Sequence, residues 1–426
     1  MQKLREKIIQ VYNNPNFTTR PKMKKQNYKS MNAAFEVNRR TFLKSGSLVG
    51  AGIVLGTPHL WAQDKASEQK PSKPETNIKD ILKIERTETS MPGKFPGKVV
   101  KVYDSNALVD NVYNTDVIQK MFENGIQTLS GSDMKQTFDM MFTKDDIIGI
   151  KVNPVGAGLI STRLELVDSI IKWLTDNGVS KNQIIIWDRF DYMLTDAGFT
   201  KERFPGIGIE GLQTMDESAM EEGNQDNSKW LDADGNHVSL SQFDKNKYYW
   251  ADVEAPQDLN YLNQHVVNTR YSYFGKLLTQ KLTKIINVPV FKNTGNGISM
   301  ATKNMGYASI CNTGRLHRPL FFDVCTEVLA FPCVRDKMVL NITDGLRAQY
   351  DGGPGPNAGC VYDYNTLFFA TDAIALDMTC HNILVEKRKE MKVDVNEHPK
   401  YTEYLRYAQE LQLGIADPEK IKVIEV

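Results

Sequence analysis

Short apolar runs alternate with longer amphipathic stretches along most of this chain, and the alternation predicts its architecture. "KVVKVY" (Lys98 to Tyr103) reads as a strand, and "NTDVIQKMFENG" reads as a helix that starts at Asn114 or Thr115 and stops at Gly125. "DDIIGIKVNP" is an apolar run closed by Pro154, which suits a buried strand. In "STRLELVDSIIKWLTDNG" the residues Leu166, Ile170, Ile171 and Leu174 recur at helical spacing, with Ser161 or Thr162 as cap and Gly178 as terminator. "NQIIIWDRF" is the next strand. Strand, helix and strand with short connections form a parallel crossover, so the expected fold class is α/β: a mostly parallel central sheet with helices on both faces.

Residues 210–260 break the rhythm with a polar, acidic insertion. Within it, Asp234-Gly235 in "WLDADGNHVSL" signals a hairpin turn. Asp232 and Asp234 lack the ligand spacing of a calcium loop. The pattern resumes with strand-like "LTKIINVPVF" and "DKMVLNITDG". It continues as a strand leading into a long helix in "NTLFFATDAIALDMTCHNILVEKRKE", and ends with the helix "HPKYTEYLRYAQELQLG". We expect one α/β domain over 96–426, carrying that insertion, after a polar linker over 63–95.

The N-terminal stretch follows a different logic. "VNRRTFLKSGSLVGAGIVLGTPHLWAQ" sets Arg39 and Arg40 before a short Gly-rich apolar run, with Ala62 ahead of polar sequence. The run falls short of the roughly 20 apolar residues that span a bilayer. The order of features fits an export leader, and "NRRTFLK" resembles the twin-arginine signal of bacterial export. The expectations are a leader over 1–62, with Met31 as an alternative true start, and recognition by the twin-arginine machinery. Cleavage after Ala62 would leave a periplasmic or secreted protein with no stable membrane span. An uncleaved anchor helix is the alternative.

Setting the leader aside changes the charge. The whole chain has 52 basic and 52 acidic residues, but 11 basic and 2 acidic ones fall within 1–62. The remainder carries 41 basic and 50 acidic groups, and an acidic protein of this kind lacks the basic footprint for nucleic acid. The five cysteines, Cys311, Cys325, Cys333, Cys360 and Cys380, form no C-x-x-C pair, so an iron–sulfur cluster is not supported. Up to two disulfides and buried thiols are equally compatible readings.

Ligands of open parallel sheets bind beyond the carboxyl ends of the strands, and polar residues stand at the predicted ends here. They are Lys151 and Asn153, Asp188, Lys292 and Asn293, Asp344, and Thr371 with Asp372. Asp372 as a helix cap, Asp344-Gly345 as a turn and Lys151 as a solvated lysine are the structural alternatives. The richest segment runs from Phe291 to Pro319 with no acidic residue, yet holds Lys292, Lys303, Asn304, Arg315, His317 and Arg318. Its glycines and cations suit a carboxylate or phosphate, although neither the P-loop nor the dinucleotide fingerprint is present. His317 is a candidate acid/base or metal ligand. Asp344, Asp351, Asp372 and Asp377 offer oxygen ligands for a divalent metal, without diagnostic spacing.

"IKVNP", "NVPVFK", "ATKNMGY", "RLH", "ITDGLRAQYDGGP" and "ATDAIALD" occur in this order between Asp145 and Arg388. With them the chain resembles the domain of unknown function 362 family, in its twin-arginine-exported branch. The resemblance implies a domain and a location, and no reaction. Some members carry a ferredoxin module, for which this chain lacks cysteines.

The leading expectation is therefore an exported enzyme or enzyme-like protein acting on a small anionic ligand. Lys151, Asn153, Lys292, Lys303, Asn304 and Arg315 would hold the anion, Asp344 and Asp372 would bind a metal or position a reacting group, and His317 would move the proton. A non-catalytic ligand-binding protein, or a redox partner loaded with a cofactor before export, are the competing classes.

Overall fold

The computed structural model describes residues 73–213, 242–253 and 270–426, apart from 296, 318, 394 and 396–399. The twin-arginine stretch and the Asp234-Gly235 turn lie outside the described residues. The strands in chain order are β1 (Lys98–Tyr103), β2 (Leu108–Val109), β3 (Val112–Tyr113), β4 (Ile148–Val152), β5 (Ile184–Phe190), β6 (Gly208–Gln213) and β7 (Phe243–Trp250). There follow β8 (Tyr271–Gly275), β9 (Lys284–Val288), β10 (Val290–Thr294), β11 (Gly297–Ile298), β12 (Met338–Gln349), β13 (Val361–Ala370) and β14 (Lys422–Glu425).

One large sheet runs in the order β14-β1-β13-β12-β9-β4-β5-β6, with β10 joined to β12 and β11 to β10. From β12 through β9, β4, β5 and β6 every pairing is parallel; β13 runs antiparallel to both of its neighbours. The expected α/β class with a mostly parallel sheet is what forms. Pro289 separates β9 from β10, because proline supplies no N–H to a ladder, and its carbonyl accepts from the Asp344 N–H. β7, which lies within the 210–260 insertion, and β8 form a separate antiparallel pair.

Alternate residues of the buried strands feed two cores, one on each face. Ile148, Ile150, Val152, Ile184 and Ile186 pack beneath the helices Thr115–Ser130 and Leu164–Asp176. Ile185, Trp187 and Ile285 face Met305, Val324, Ile374 and Leu405, which lie on the helices Ala301–Gly306, Phe321–Glu327, Ala373–Glu390 and Lys400–Glu410. No helix among the described residues is long and apolar enough to cross a membrane.

Two local expectations change. The helix capped by Asn114 runs through Gly125 to Ser130 and ends at Gly131 in the left-handed region. Gly125 is there for packing: a Cβ would lie 2.1 Å from the Phe369 ring of β13. The described part of the expected linker, from residue 73 onward, is packed on the domain. Ile78 and Met91 are buried, and the Arg335 guanidinium donates to the carbonyls of Ile84 and Glu85. The Lys73 ammonium reaches the buried Glu327 at 2.9 Å, where the Tyr249 and Tyr407 hydroxyls also donate.

Candidate functional site

The carboxyl ends of β4, β5 and β9 share one edge with β10, and there the structure gathers an unusual density of buried charge. Lys151, Asn153, Asp188, Arg189, Lys292 and Asn304 are all buried. The Lys151 Nζ lies 2.6 Å from Asp188 Oδ1 and donates to the Val152 carbonyl and to Asn304 Oδ1 at 2.6 and 3.0 Å. Lys292 Nζ donates to the Val155 carbonyl, Asn153 Oδ1 and the Ile160 carbonyl at 2.8, 3.1 and 3.3 Å. Burial lowers the pKa of both lysines; Asp188 opposes this at Lys151, while Lys303 adds to it at Lys292.

Lys303 differs from its neighbours. Its Nζ lies 5.7 Å from the Tyr307 ring centre and 5.8 Å from that of Phe321, and it donates no hydrogen bond to any described residue. Burial lowers its pKa, with the Lys151 charge adding to that effect and the neighbouring Cys325 opposing it. The half-buried His317 packs on the same two rings, 4.6 Å from Tyr307 and 5.8 Å from Phe321. Its Nδ1 is 2.9 Å from the Thr313 carbonyl, which can only accept, so Nδ1 carries the hydrogen and Nε2 is an acceptor. Burial and the Lys303 charge push its pKa down to about 4, which keeps the ring neutral at pH 7. The Arg189 guanidinium bonds the Thr313 hydroxyl, tying β5 to the loop that carries His317.

A ladder of amides fixes this edge from below. Asn304 Nδ2 donates to Asn287 Oδ1 at 2.8 Å, Asn287 Nδ2 to Asn341 Oδ1 at 2.9 Å, and Asn341 Nδ2 to the Thr371 carbonyl at 3.1 Å. Three strands are thus crossed by buried side-chain amides ending on Lys151. Asp188, an expected strand-end residue, joins them, and Arg189, Thr313, Asn287 and Asn341 complete the constellation beyond the expected residues. The signal for the two asparagines was available: each interrupts an apolar strand run, "IINV" and "VLNI".

Among the expected site residues, Lys151, Asn153, Lys292, Lys303, Asn304 and His317 converge. Asn153 and Asn304 position the lysines, because their side-chain oxygens are occupied by Nζ groups. Asp344 adjoins this edge, but its carboxylate accepts the N–H groups of Arg163 and Leu346 at 2.7 and 3.1 Å. It thereby caps the helix Leu164–Asp176 in place of Ser161 or Thr162, and burial raises its pKa to about 6. Asp372 lies elsewhere: β13 runs antiparallel to β12, so Asp372 falls beside the start of β12 while Asp344 lies further along that strand. The carboxylate of Asp372 accepts the N–H groups of Gly97, Ile374, Ala375 and Ile415 at 2.9 to 3.0 Å, so it caps the helix Ala373–Glu390. Asp344 and Asp372 therefore do not face a common ligand.

Asp351 pairs with Arg388, and Asp377 caps the helix Ala301–Gly306 through the Ala301 and Thr302 N–H groups. No group of three or more His, Cys, Asp or Glu among the described residues is arranged to hold a metal ion. Arg315 is directed to the flanking hairpin, where it donates to the carbonyls of Ala251, Val253 and Arg270 and to the Ser272 hydroxyl. All five cysteines are unpaired. A surface groove of about 1110 Å³ lined by Tyr248, Trp250, Tyr271 and Lys337 lies at the opposite, amino edge of the sheet and holds none of these groups.

The fold and this edge define an α/β protein with a cluster of buried cations at the strands' carboxyl ends. The chain belongs to the family described as domain of unknown function (DUF362), whose model matches residues 148–382. That span takes in Lys151, Lys292, Lys303, His317 and the amide ladder. No curated protein and no solved structure matches the chain.

Proposed function

We propose that this protein binds a small anionic ligand at the carboxyl edge of its sheet, with Lys303 as the charge partner and His317 Nε2 as a hydrogen-bond or proton acceptor. One observation carries the reading. Three lysines and two arginines, Lys151, Lys292, Lys303, Arg163 and Arg189, gather there with two carboxylates, Asp188 and Asp344. Buried cations require compensation, and here five cations converge on two carboxylates. The test is calorimetric titration with acetate, phosphate and glyoxylate at constant ionic strength, on wild type and Lys303→Met. Saturable binding lost in Lys303→Met supports the reading. Heats no larger than those of matched chloride would overturn it.

We propose also that the chain reaches the periplasm by the twin-arginine route, on the strength of "NRRTFLK" and the short apolar run behind it. Periplasmic protein beginning at Gln63, with Arg39→Lys/Arg40→Lys retained in the cytoplasm, is the expected result. Equal export of the double variant would refute it.

A further inference from the structure

A lysine ammonium has three N–H donors. At this edge Lys151 uses three, on Asp188, Val152 and Asn304, and Lys292 uses three, on Val155, Asn153 and Ile160. Those two amines are locked into the fold. Lys303 makes none of these bonds with described residues and rests against the faces of Tyr307 and Phe321. Its backbone is nonetheless fixed. Asp377 caps the start of its helix, and the adjacent Asn304 is tied to both Lys151 and Asn287. The result is a rigidly presented amine with an uncommitted nitrogen, in an aromatic wall beside a neutral imidazole.

We propose that Lys303 is a nucleophilic amine that condenses with the carbonyl group of a small anionic aldehyde or 2-oxo acid. This rests on the reading that this edge accepts a small anion: the protonated amine attracts the anion, and its neutral fraction attacks. A desolvated lysine beside another cation is one recognised way to obtain a reactive amine, and Lys151 supplies that cation.

The step balances without a redox partner. The unprotonated nitrogen attacks the carbonyl carbon, a C–N bond forms, and the C=O π pair moves to oxygen. One proton leaves nitrogen and one reaches that oxygen; His317, which packs on the same Tyr307 and Phe321 rings as Lys303, would relay it. The carbinolamine hydroxyl then takes up a second proton and departs as water while the nitrogen lone pair closes C=N, and the remaining N–H proton is released. Amine and carbonyl become imine and water.

The experiment uses glyoxylate as probe, with sodium cyanoborohydride at pH 7 and peptide mapping of wild type and Lys303→Arg. A lowered pKa raises an amine's neutral fraction at fixed pH, and an anion held beside it raises the local concentration of the carbonyl, so Lys303 is expected to be alkylated at least about tenfold faster than the exposed Lys120. Acetaldehyde, which lacks the carboxylate, is expected to lose that preference, and Lys303→Arg to lose the fast phase while melting at the wild-type temperature. Labelling of Lys303 no faster than of Lys120 overturns the proposal, and the wild-type map alone decides this should the variant misfold. If glyoxylate binds by calorimetry with no preferred adduct, the amine chemistry falls and the anion reading stands. If it neither binds nor reacts, both fall.

Discussion

Lys151 and Asp188 form an ion pair of 2.6 Å at the ends of adjacent parallel strands, with side chains 1% and 9% exposed. Taking two such charges out of water is costly, and their attraction offsets that cost only with good geometry and additional hydrogen bonds. Here the bonds are present: Lys151 also donates to the Val152 carbonyl and to Asn304. The pair therefore fixes the distance between two strand ends at the carboxyl edge of the sheet.

Replacing one partner should be far more harmful than replacing both. Asp188→Asn removes the carboxylate and leaves a buried cation, an error that costs about 3–5 kcal/mol. Lys151→Met combined with Asp188→Leu should cost less than the sum of the single changes, because these residues touch. Urea denaturation of the four proteins gives the coupling directly, and strict additivity would show that the pair contributes nothing as a pair.

The amide ladder makes a second claim. Asn287→Ala deletes one acceptor and one doubly used donor. The Asn304 amide, Asn341 Oδ1 and the Ala301 carbonyl lose a partner where water cannot replace it. A buried unsatisfied group costs about 1–3 kcal/mol, so a loss in the upper part of that range is expected. The position of Lys151 should loosen as well, weakening anion binding without direct contact. A variant with normal stability and unchanged anion affinity would show that the ladder does not hold the site.

Much of the fold was readable from period and punctuation. The strands around Lys98, Ile148, Ile184 and Met338 stand out as apolar runs because they are buried on both faces, and the helix over Leu164–Asp176 shows an uninterrupted 3.6 period. The candidate site was half readable. Strand-end polar residues are conspicuous, which brought out Lys151, Asn153, Lys292 and Asp344. Their roles were not readable, since whether Arg315 faces a ligand or clasps the Ala251 and Arg270 carbonyls depends on contacts across 45 residues or more. Asp372 follows the same logic, as its partners Gly97 and Ile415 are distant in sequence. Gly125 misled for a related reason: a glycine stops a helix or admits a neighbour, and only Phe369 on β13 decides which.

That glycine gives a third prediction. Alanine is the better helix former by about 1 kcal/mol, and the backbone of Gly125 lies within a regular helix. A Cβ there would meet the Phe369 ring at 2.1 Å, and that ring is itself packed edge-on against Phe122. Overpacking of this kind costs about 1–3 kcal/mol, so Gly125→Ala should be net destabilising despite its propensity. Adding Phe369→Leu should recover part of the loss. A Gly125→Ala protein more stable than wild type would mean that the helix shifts freely over β13.

The last prediction concerns pH. His317 is half-buried against Tyr307 and Phe321, with Lys303 and Arg189 as the cations facing it, and its pKa is lowered to about 4. In the unfolded chain a histidine titrates near 6.5. Between those values the unfolded state binds the extra proton and the folded state does not, so stability rises with pH across that window. The contribution is complete above about pH 6.5 and is lost progressively as the pH falls towards 4, by an amount on the order of 2 kcal/mol after allowance for partial exposure. His317→Gln keeps a polar side chain and cannot titrate, so the stability of wild type relative to the variant should fall by that amount between pH 7 and pH 4. Denaturation midpoints measured at half-unit intervals test this. Parallel curves would show that folding leaves the imidazole's pKa unshifted, and would remove the desolvated environment argued for His317.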